Sequence, residues 1–276
     1  MTYEYIGIDS VRRARSEHIY LFQEIQIVAS ASTLQVLTAA EREQFERDGF
    51  ILKRGLVSPE MIAQISNEID TLHECMTGQT PPDVHVAWEK QVEGRPRRIR
   101  QLMNSECVSP GLNTVLRSDA VLDIVQALIG PRISLFHSKL LMKAAHDGTV
   151  TPWHQDYAYW KRGTNRPVQL NCMLAIDPAT LENGCIQFVP GTHKGGLQTH
   201  DKKENISFGV FLPGYFDPRP GAVPIEMKPG DCIFFGPLVI HGSDGNRSSV
   251  DRRANTVAYT VTGDDETQCR EVLRRE

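Results

Sequence analysis

Features that would tie a chain to a membrane or to a disulfide framework are missing from this sequence. It has no run of about 18 apolar residues, and its opening stretch, MTYEYIGIDSVRRARSEH, has no apolar segment of the kind found in secretory signals. The six cysteines are widely spaced and include no C-x-x-C pair, which favours reduced thiols over disulfides or a zinc site. We therefore expect a soluble, cytoplasmic protein.

An excess of charge of one sign is also missing. The formal net charge is -4, and the densest basic stretch, GRPRRIR at 94–100, is too short to form a nucleic-acid-binding face. With 40% hydrophobic and 23% charged residues, the composition is that of a globular protein with a substantial core. We expect a small-molecule substrate as the partner, no nucleic acid, no membrane, and a monomer or homodimer.

The chain is interpreted as an extension followed by one domain. Residues 1–36 form an N-terminal extension of unclear structure, in which HIYLFQEIQIVASAS is compatible with a helix, a strand or an arm used in oligomerisation. Residues 37–276 are interpreted as a single domain.

Helix signals are concentrated in the first half of that domain. Thr38 is a suitable N-cap for a short charged helix that stops at Gly49, and FILKRGL then predicts a strand. Ser58 and Pro59 begin an amphipathic helix, because apolar residues follow them at helical spacing. Another amphipathic helix is predicted over Asp119–Ile129.

After Pro131 the pattern changes to short strands separated by turns. The strand-like runs are RISLFHSKLLMK, QLNCMLAID, CIQFVPG, VPIEMK, DCIFFGPLVIHGS and RRANTVAYTV. Many short strands with such breaks indicate a sandwich or a closed barrel rather than alternating strands and helices. We expect a mainly β fold with flanking helices that support it.

The stretch PWHQDYAYW places a histidine and an aspartate two residues apart. If it is a strand, His154 and Asp156 project from the same face and Gln155 points away. With a second histidine they would complete the two-histidine, one-carboxylate set that holds non-haem Fe(II). An isolated H-x-D often occurs by chance, so the alternative is the polar end of a strand.

His241 is the candidate third ligand. It ends the apolar run CIFFGPLVI, where a strand would open at the mouth of a barrel. The alternative is a lone capping histidine.

Four motifs, in order along the chain, resemble the phytanoyl-CoA dioxygenase family of Fe(II)- and 2-oxoglutarate-dependent oxygenases. They are WHQDYAYW, ENGCIQFVPGTHKG, MKPGDCIFFGPLVIHGS and NRSSVDRRA. The similarity extends back to LTAAEREQFERDGF and covers residues 37–261. It implies a double-stranded β-helix (jelly roll, cupin-like) with Fe(II), 2-oxoglutarate and O2 as cofactor and co-substrates. It also implies that His154, Asp156 and His241 are the metal ligands and hence the catalytic residues.

The resemblance also implies a binding site for 2-oxoglutarate. Arg252 matches the arginine that grips the far carboxylate, and Ser243 matches a hydroxyl donor to it; a guanidinium suits this role because it binds a carboxylate bidentately. Strand alternation alone does not separate Arg252 from Arg253. Lys139 and Arg98 match further co-substrate contacts.

Other residues receive a plainer interpretation. Arg100 is expected to be a solvated surface cation, and His193 is expected to serve its turn. Met173 stands where many family members have tryptophan, which changes the local shape of the pocket. Tyr157, Tyr159 and Trp160 are either pocket-lining or core aromatics.

The expected activity is hydroxylation of a small metabolite with release of succinate and CO2. Because Asp156 supplies the carboxylate that related halogenases lack, oxygen insertion or hydrogen removal is favoured over chlorination. Two alternatives are a non-catalytic jelly-roll binding protein and a metal-dependent cupin-like enzyme that does not use 2-oxoglutarate. Arg252 argues against the second.

Overall fold

The computed structural model describes residues 36–75, 84–94, 98–161, 166–202, 209–214, 217–263 and 271–274. The extension expected over residues 1–36 lies outside the described residues apart from Val36. Within the described ranges, no helix combines the length and the apolar character that a membrane crossing requires.

The first helix is fixed by its ends, as the sequence predicts. Helix α1, Ala39–Asp48, begins with a capping box: the Glu41 amide donates to the Thr38 hydroxyl, and the Glu41 carboxylate accepts from the Thr38 amide. It ends at Gly49, whose φ of 88° is a left-handed conformation that glycine adopts without a steric penalty.

The remaining helices lie where apolar residues recur at helical spacing. Their bounds are α2, Pro59–Cys75; α3, Pro110–Leu116; α4, Asp119–Ile129; and α5, Tyr157–Trp160. The Ser58 hydroxyl accepts a hydrogen bond from the Met61 amide, which confirms the expected cap of α2. Two single turns of 3-10 helix lie at Ser105–Cys107 and Thr192–Gly195.

Twelve strands make up two antiparallel sheets in the described part of the chain. The strands are β1, Phe50–Lys53; β2, Val86–Trp88; β3, Ile99–Met103; β4, Ile133–Lys143; β5, Thr151–His154; β6, Leu170–Ala175; β7, Ile186–Val189; β8, Val223–Pro224; β9, Cys232–Phe235; β10, Ile240–Ser243; β11, Arg252–Val261; and β12, Glu271–Arg274. The larger sheet has the order β1-β9-β6-β11-β4-β3-β2, with β12 also paired to β4; the smaller has the order β5-β10-β7-β8.

The two faces of the larger sheet pack against different partners. On β6, Cys172 and Leu174 belong to a buried cluster shared with α2, α3 and α4, whereas Met173 and Ala175 belong to a cluster shared with Phe188 of the smaller sheet. This alternation follows from the period of two along a strand. The helices therefore cover one face of the larger sheet, the smaller sheet covers the other, and the mainly β jelly-roll architecture with flanking helices is confirmed.

Candidate metal centre and co-substrate pocket

Two histidines face each other across the smaller sheet. His154 is the last residue of β5 and His241 lies on β10, and the antiparallel register makes them direct partners. Their ring centroids are 4.2 Å apart, and both residues are buried. Close cross-strand pairing thus brings together two imidazoles that are 87 positions apart in the chain.

Asp156 lies beside the two histidines, as the sequence predicts, but it is not part of the same strand as His154. Strand β5 ends at His154, and Asp156 has helical dihedral angles (φ -57°, ψ -33°) at the start of α5. Alternation along a strand is therefore the wrong explanation, although the convergence itself is present. The Nε2 atoms of His154 and His241 lie 3.5 and 3.6 Å from the two Asp156 carboxylate oxygens.

The hydrogen bonds of the imidazoles define the donor atoms of the cluster. Nδ1 of His154 lies 2.8 Å from the Pro152 carbonyl oxygen, and Nδ1 of His241 lies 3.0 Å from that of Val239. Because a carbonyl oxygen only accepts, each Nδ1 carries the hydrogen and each Nε2 keeps its lone pair. Two such nitrogens and one carboxylate oxygen, all within 4.8 Å of one another, fit the donor set of a non-haem Fe(II) site.

Burial and mutual electrostatics set the charge state of this cluster. Burial, followed by the proximity of His154, lowers the pKa of His241 to about 4, so its imidazole is neutral at physiological pH. Burial alone would raise the pKa of the Asp156 carboxyl, but His241 and His154 bring it below its ordinary value. The cluster therefore presents a neutral His241 imidazole and an ionised Asp156 carboxylate, which are the protonation states that a metal needs in these two groups.

Asn171 is a contributor that the sequence reasoning missed. Its side-chain amide on β6 donates a 2.8 Å hydrogen bond to Oδ2 of Asp156, and it is almost completely buried. The signal was an asparagine inside the otherwise apolar strand LNCMLA. Its partner could not be identified without the fold.

Gln155 points away from the metal cluster, as expected. Its side-chain amide donates to the carbonyl oxygens of Gly196 and Leu238 and accepts from the Gln198 amide. These bonds tie the segment that follows the second 3-10 turn to the end of β5.

A cavity of about 390 Å³ lies between the sheets and includes the metal cluster. Its charged lining residues are Arg100, Lys139, Lys143, Arg252 and Asp156, and its aromatic lining residues include His137, Tyr159 and Trp160. The volume falls within the range typical of small-molecule sites, roughly 300–1,000 Å³.

Arg252 lies in this cavity and Arg253 does not. Arg252 is 5% exposed, donates to the Gly184 carbonyl, and has no carboxylate within ion-pair distance among the described residues. Burial lowers its pKa to about 10, which leaves it charged. Arg253 turns to the opposite face of β11, where it pairs with Asp177 at 2.8 Å and with Asp70 at 2.7 Å. A buried guanidinium without an acidic partner fits a ligand carboxylate.

The other predicted co-substrate contacts divide into two groups. Ser243 and Lys139 line the cavity with the metal cluster. Arg98 does not line it; its guanidinium pairs with the Asp251 carboxylate, so this placement does not support a co-substrate contact. Arg100, expected to be a solvated surface cation, lines the cavity instead. Strand β3 begins between the two arginines, at Ile99.

Lys143 is a second cavity residue that sequence reasoning missed. It lies directly opposite Arg252 in the β4–β11 register, is 6% exposed, and donates to the Thr149 carbonyl oxygen. Burial, followed by the charge of Arg252, lowers its pKa well below the ordinary value. The sequence could have predicted this position, because Lys143 follows Lys139 by four residues in HSKLLMK and alternation along a strand places both on the same face.

The remaining histidines do not join the metal cluster in the described part of the chain. Nε2 of His193 lies 3.2 Å from the Glu46 carbonyl oxygen, in the turn where a structural role was expected. His200 accepts a hydrogen bond from the Gln155 amide, and His137 packs edge-on against Trp160 in the cavity wall.

Comparison with known proteins gives a consistent family match. A family model described as phytanoyl-CoA dioxygenase (PhyH) matches residues 45–254. The peroxisomal phytanoyl-CoA dioxygenase of Mus musculus is 30% identical over 248 residues, covering 86% of this chain and 71% of that protein. A probable alpha-ketoglutarate-dependent hypophosphite dioxygenase of Stutzerimonas stutzeri is 23% identical, covering 81% of this chain and 78% of that protein.

Solved structures share the fold. EctD from S. alaskensis in its apoform superposes with a TM-score of 0.72 at 22% identity, and the match covers 89% of each chain. The EctD structure with 2-oxoglutarate and 5-hydroxyectoine gives a TM-score of 0.68 at 20% identity, covering 89% of this chain and 86% of that one.

Proposed function

Because this chain belongs to the phytanoyl-CoA dioxygenase family and is an Fe(II)- and 2-oxoglutarate-dependent dioxygenase, we propose that it hydroxylates a small metabolite. The observation that carries this proposal is the coexistence, in one cavity, of the His154–Asp156–His241 cluster and the buried Arg252. A non-catalytic jelly-roll binding protein would need neither the metal cluster nor Arg252. A cupin-like enzyme that does not use 2-oxoglutarate would not need Arg252.

We assign the three clustered residues as the iron ligands. Each histidine presents the Nε2 lone pair, because its Nδ1 hydrogen is engaged by a backbone carbonyl. Asp156 adds one negative charge to the two nitrogen donors. Fe(II) held by these three residues would allow O2 to act as the oxidant, with two electrons taken from 2-oxoglutarate, which becomes succinate and CO2, and two from a substrate C–H bond.

We assign the far carboxylate of 2-oxoglutarate to Arg252, with Ser243 as a hydroxyl donor. Ser243 lies two residues beyond His241 on β10 and lines the same cavity. Arg252 has no internal counter-ion among the described residues, so a carboxylate from solution would satisfy its charge. A lysine would provide the charge there but not the bidentate geometry.

The volume of the cavity also favours a small substrate. Its volume of about 390 Å³ must hold both the co-substrate and the part of the substrate that reacts. Tyr159 and Trp160 border it from α5, and the Tyr159 hydroxyl donates to the Val210 carbonyl, which ties α5 to a neighbouring loop. These side chains would orient the substrate and exclude water from the metal.

The proposal is tested by coupled product analysis with the full chain. The purified protein, reconstituted with Fe(II) and 2-oxoglutarate in air, is expected to form succinate, and a true substrate should accelerate this and gain one oxygen atom from labelled O2. His241→Ala should form no succinate above the metal-only background. Absence of Fe(II)-dependent succinate formation by the wild type would contradict the proposed function.

Two further expectations belong with this proposal. We propose a cytoplasmic location, which cell fractionation would check; the Mus musculus relative is named as a peroxisomal protein, so a peroxisomal fraction is the informative alternative. We propose a monomer or a homodimer, which light scattering of the purified chain would distinguish.

A further inference from the structure

Thr256 brings a buried hydroxyl group without a partner to the wall of the metal cavity. Its side chain lines the cavity from the middle of β11, and the residue is 6% exposed. Its Oγ1 atom has no hydrogen-bond partner among the described residues. By contrast, the hydroxyl of Thr260, further along the same strand, accepts a hydrogen bond from the Gln169 amide. Because a buried hydroxyl without a partner costs free energy, a ligand oxygen in the cavity would stabilise Thr256.

Strand pairing locates Thr256 relative to the metal cluster. Asn171, whose amide donates to Asp156, is the β6 partner of Ala258 on β11. Thr256 lies two residues from Ala258 in the direction of Arg252, which corresponds to about 7 Å along a strand. Arg252 lies a further four residues along β11 and lines the same cavity. Thr256 is therefore between the metal cluster and the guanidinium.

Ser243 lies at a similar distance from the metal cluster on the opposite sheet. His241 packs edge-on against Phe235, with ring centroids 5.0 Å apart, and Phe235 is the β9 partner of Asn171. Strand β10 therefore crosses the larger sheet at the metal cluster and reaches Ser243 two residues later.

Arg252 approaches β10 at its Ser243 end. The guanidinium donates to the Gly184 carbonyl oxygen. Gly184 packs so closely against Asp244 that an added Cβ would lie 2.3 Å from the Asp244 carbonyl oxygen. Since Asp244 directly follows Ser243, the hydroxyls of Ser243 and Thr256 come from opposite sheets, and both lie between the metal cluster and Arg252.

We propose that the Thr256 hydroxyl donates a hydrogen bond to the far carboxylate of 2-oxoglutarate, an inference that rests on the proposed function of this cavity. Arg252 and Ser243 are assigned to the same carboxylate. A carboxylate offers about four lone pairs, so a bidentate guanidinium and one serine leave a lone pair for Thr256. The co-substrate is then held by hydroxyl groups of both sheets, and its binding gives the Thr256 hydroxyl its partner.

The test compares two 2-oxo acids by calorimetric titration of the full chain loaded with Fe(II) in the absence of O2. The first is 2-oxoglutarate, and the second is 2-oxovalerate, which has the same carbon chain without the far carboxylate. Thr256→Val and Thr256→Ala both remove the hydroxyl, the first at nearly constant size, and Thr256→Ser keeps it. The matched control is Thr260→Val, the same change on the same strand at a residue that does not line the cavity.

We expect Thr256→Val and Thr256→Ala to bind 2-oxoglutarate about tenfold or more weakly than the wild type, the loss typical of one hydrogen bond to a charged group. Their affinity for 2-oxovalerate should match that of the wild type, because this acid lacks the group that the hydroxyl contacts. Thr256→Ser and Thr260→Val should bind both acids as the wild type does. Unchanged 2-oxoglutarate affinity in a folded variant without the hydroxyl overturns the inference, as does an equal loss for both acids or a comparable loss in Thr256→Ser.

Titration of the wild type separates this inference from the function on which it rests. If the wild type binds Fe(II) and then 2-oxoglutarate, and the variants without the hydroxyl bind equally well, only the role of Thr256 is wrong. If the wild type binds no 2-oxoglutarate, the proposed function fails and the inference falls with it. Thermal unfolding and Fe(II) affinity before addition of the acids identify the variants that remain folded, and either variant without the hydroxyl is sufficient for the test.

Discussion

His154 and His241 are direct partners in an antiparallel strand pair, with ring centroids 4.2 Å apart. Two buried imidazoles at this distance cannot both be protonated without strong repulsion, and burial together with His154 already holds the pKa of His241 near 4. The pair is therefore suited to a divalent cation, which two neutral nitrogen donors and the Asp156 carboxylate would stabilise.

The first prediction concerns removal of one of these donors. His241→Ala should lower Fe(II) affinity by more than about a hundredfold, because loss of a direct ligand exceeds the 10–100-fold cost of losing an outer partner. Competition with a chromophoric chelator measures this under anaerobic conditions. The control is His85→Ala, at an exposed histidine, which should bind Fe(II) as the wild type does. Equal affinity in His241→Ala would remove this residue from the metal site.

The second prediction separates two adjacent arginines by their different partners. Arg252→Ala should raise the KM for 2-oxoglutarate on the order of a hundredfold, because a bidentate charge-assisted contact is lost. Arg252→Lys should restore only part of the lost affinity for 2-oxoglutarate, since lysine supplies the positive charge but not the two parallel hydrogen bonds of a guanidinium.

Arg253→Ala is the matched control for that experiment. It should leave the KM nearly unchanged but lower the free energy of unfolding by about 1–3 kcal/mol, because Asp177 and Asp70 lose their partner. Steady-state kinetics and urea denaturation measure the two effects. The opposite ranking of KM values would place Arg253, not Arg252, at the co-substrate.

The three clustered residues could be predicted from the sequence because each belongs to a short motif that is recognisable by itself. The H-x-D spacing and the histidine at the end of an apolar run remain recognisable without coordinates. Their geometry was less accessible: strand alternation suggested a shared face, but the chain leaves β5 at His154 and turns into α5 before Asp156.

Which arginines line the cavity could not be predicted from the local sequence, because it depends on how distant strands pair. Arg252 and Arg253 differ only in the face of β11 that each occupies, and this is settled by packing of that strand between β4 and β6. Arg98 and Arg100 differ by two residues, yet only the second lines the cavity. The pairing of β3 with β4 determines where Arg98 and Arg100 lie, and the local sequence does not predict where that pairing begins.

The third prediction concerns Asn171, whose amide holds one Asp156 oxygen at 2.8 Å. Asn171→Leu should weaken Fe(II) binding by about 10–100-fold, as is typical when a ligand loses its outer hydrogen bond. The matched control is Thr256→Val, a cavity residue whose hydroxyl has no hydrogen-bond partner among the described residues. Anaerobic metal titration of both variants checks this, with thermal unfolding to confirm that each remains folded. Unchanged affinity in Asn171→Leu would make this contact structural only.

The last prediction concerns Asp156 and the outcome of the reaction. If its carboxylate is a metal ligand, it fills the coordination position that a halide would need, so chloride in the buffer should not alter the product. Asp156→Gly would open that position, but Asn171 would then face the vacated space with its amide donor unpaired, in surroundings built for a carboxylate. We therefore expect this variant to lose hydroxylation without gaining efficient chlorination. Mass spectrometry of products formed in chloride-rich buffer measures both outcomes, with chloride-free buffer as the control. A chlorinated product from the wild type would show that Asp156 does not hold the metal.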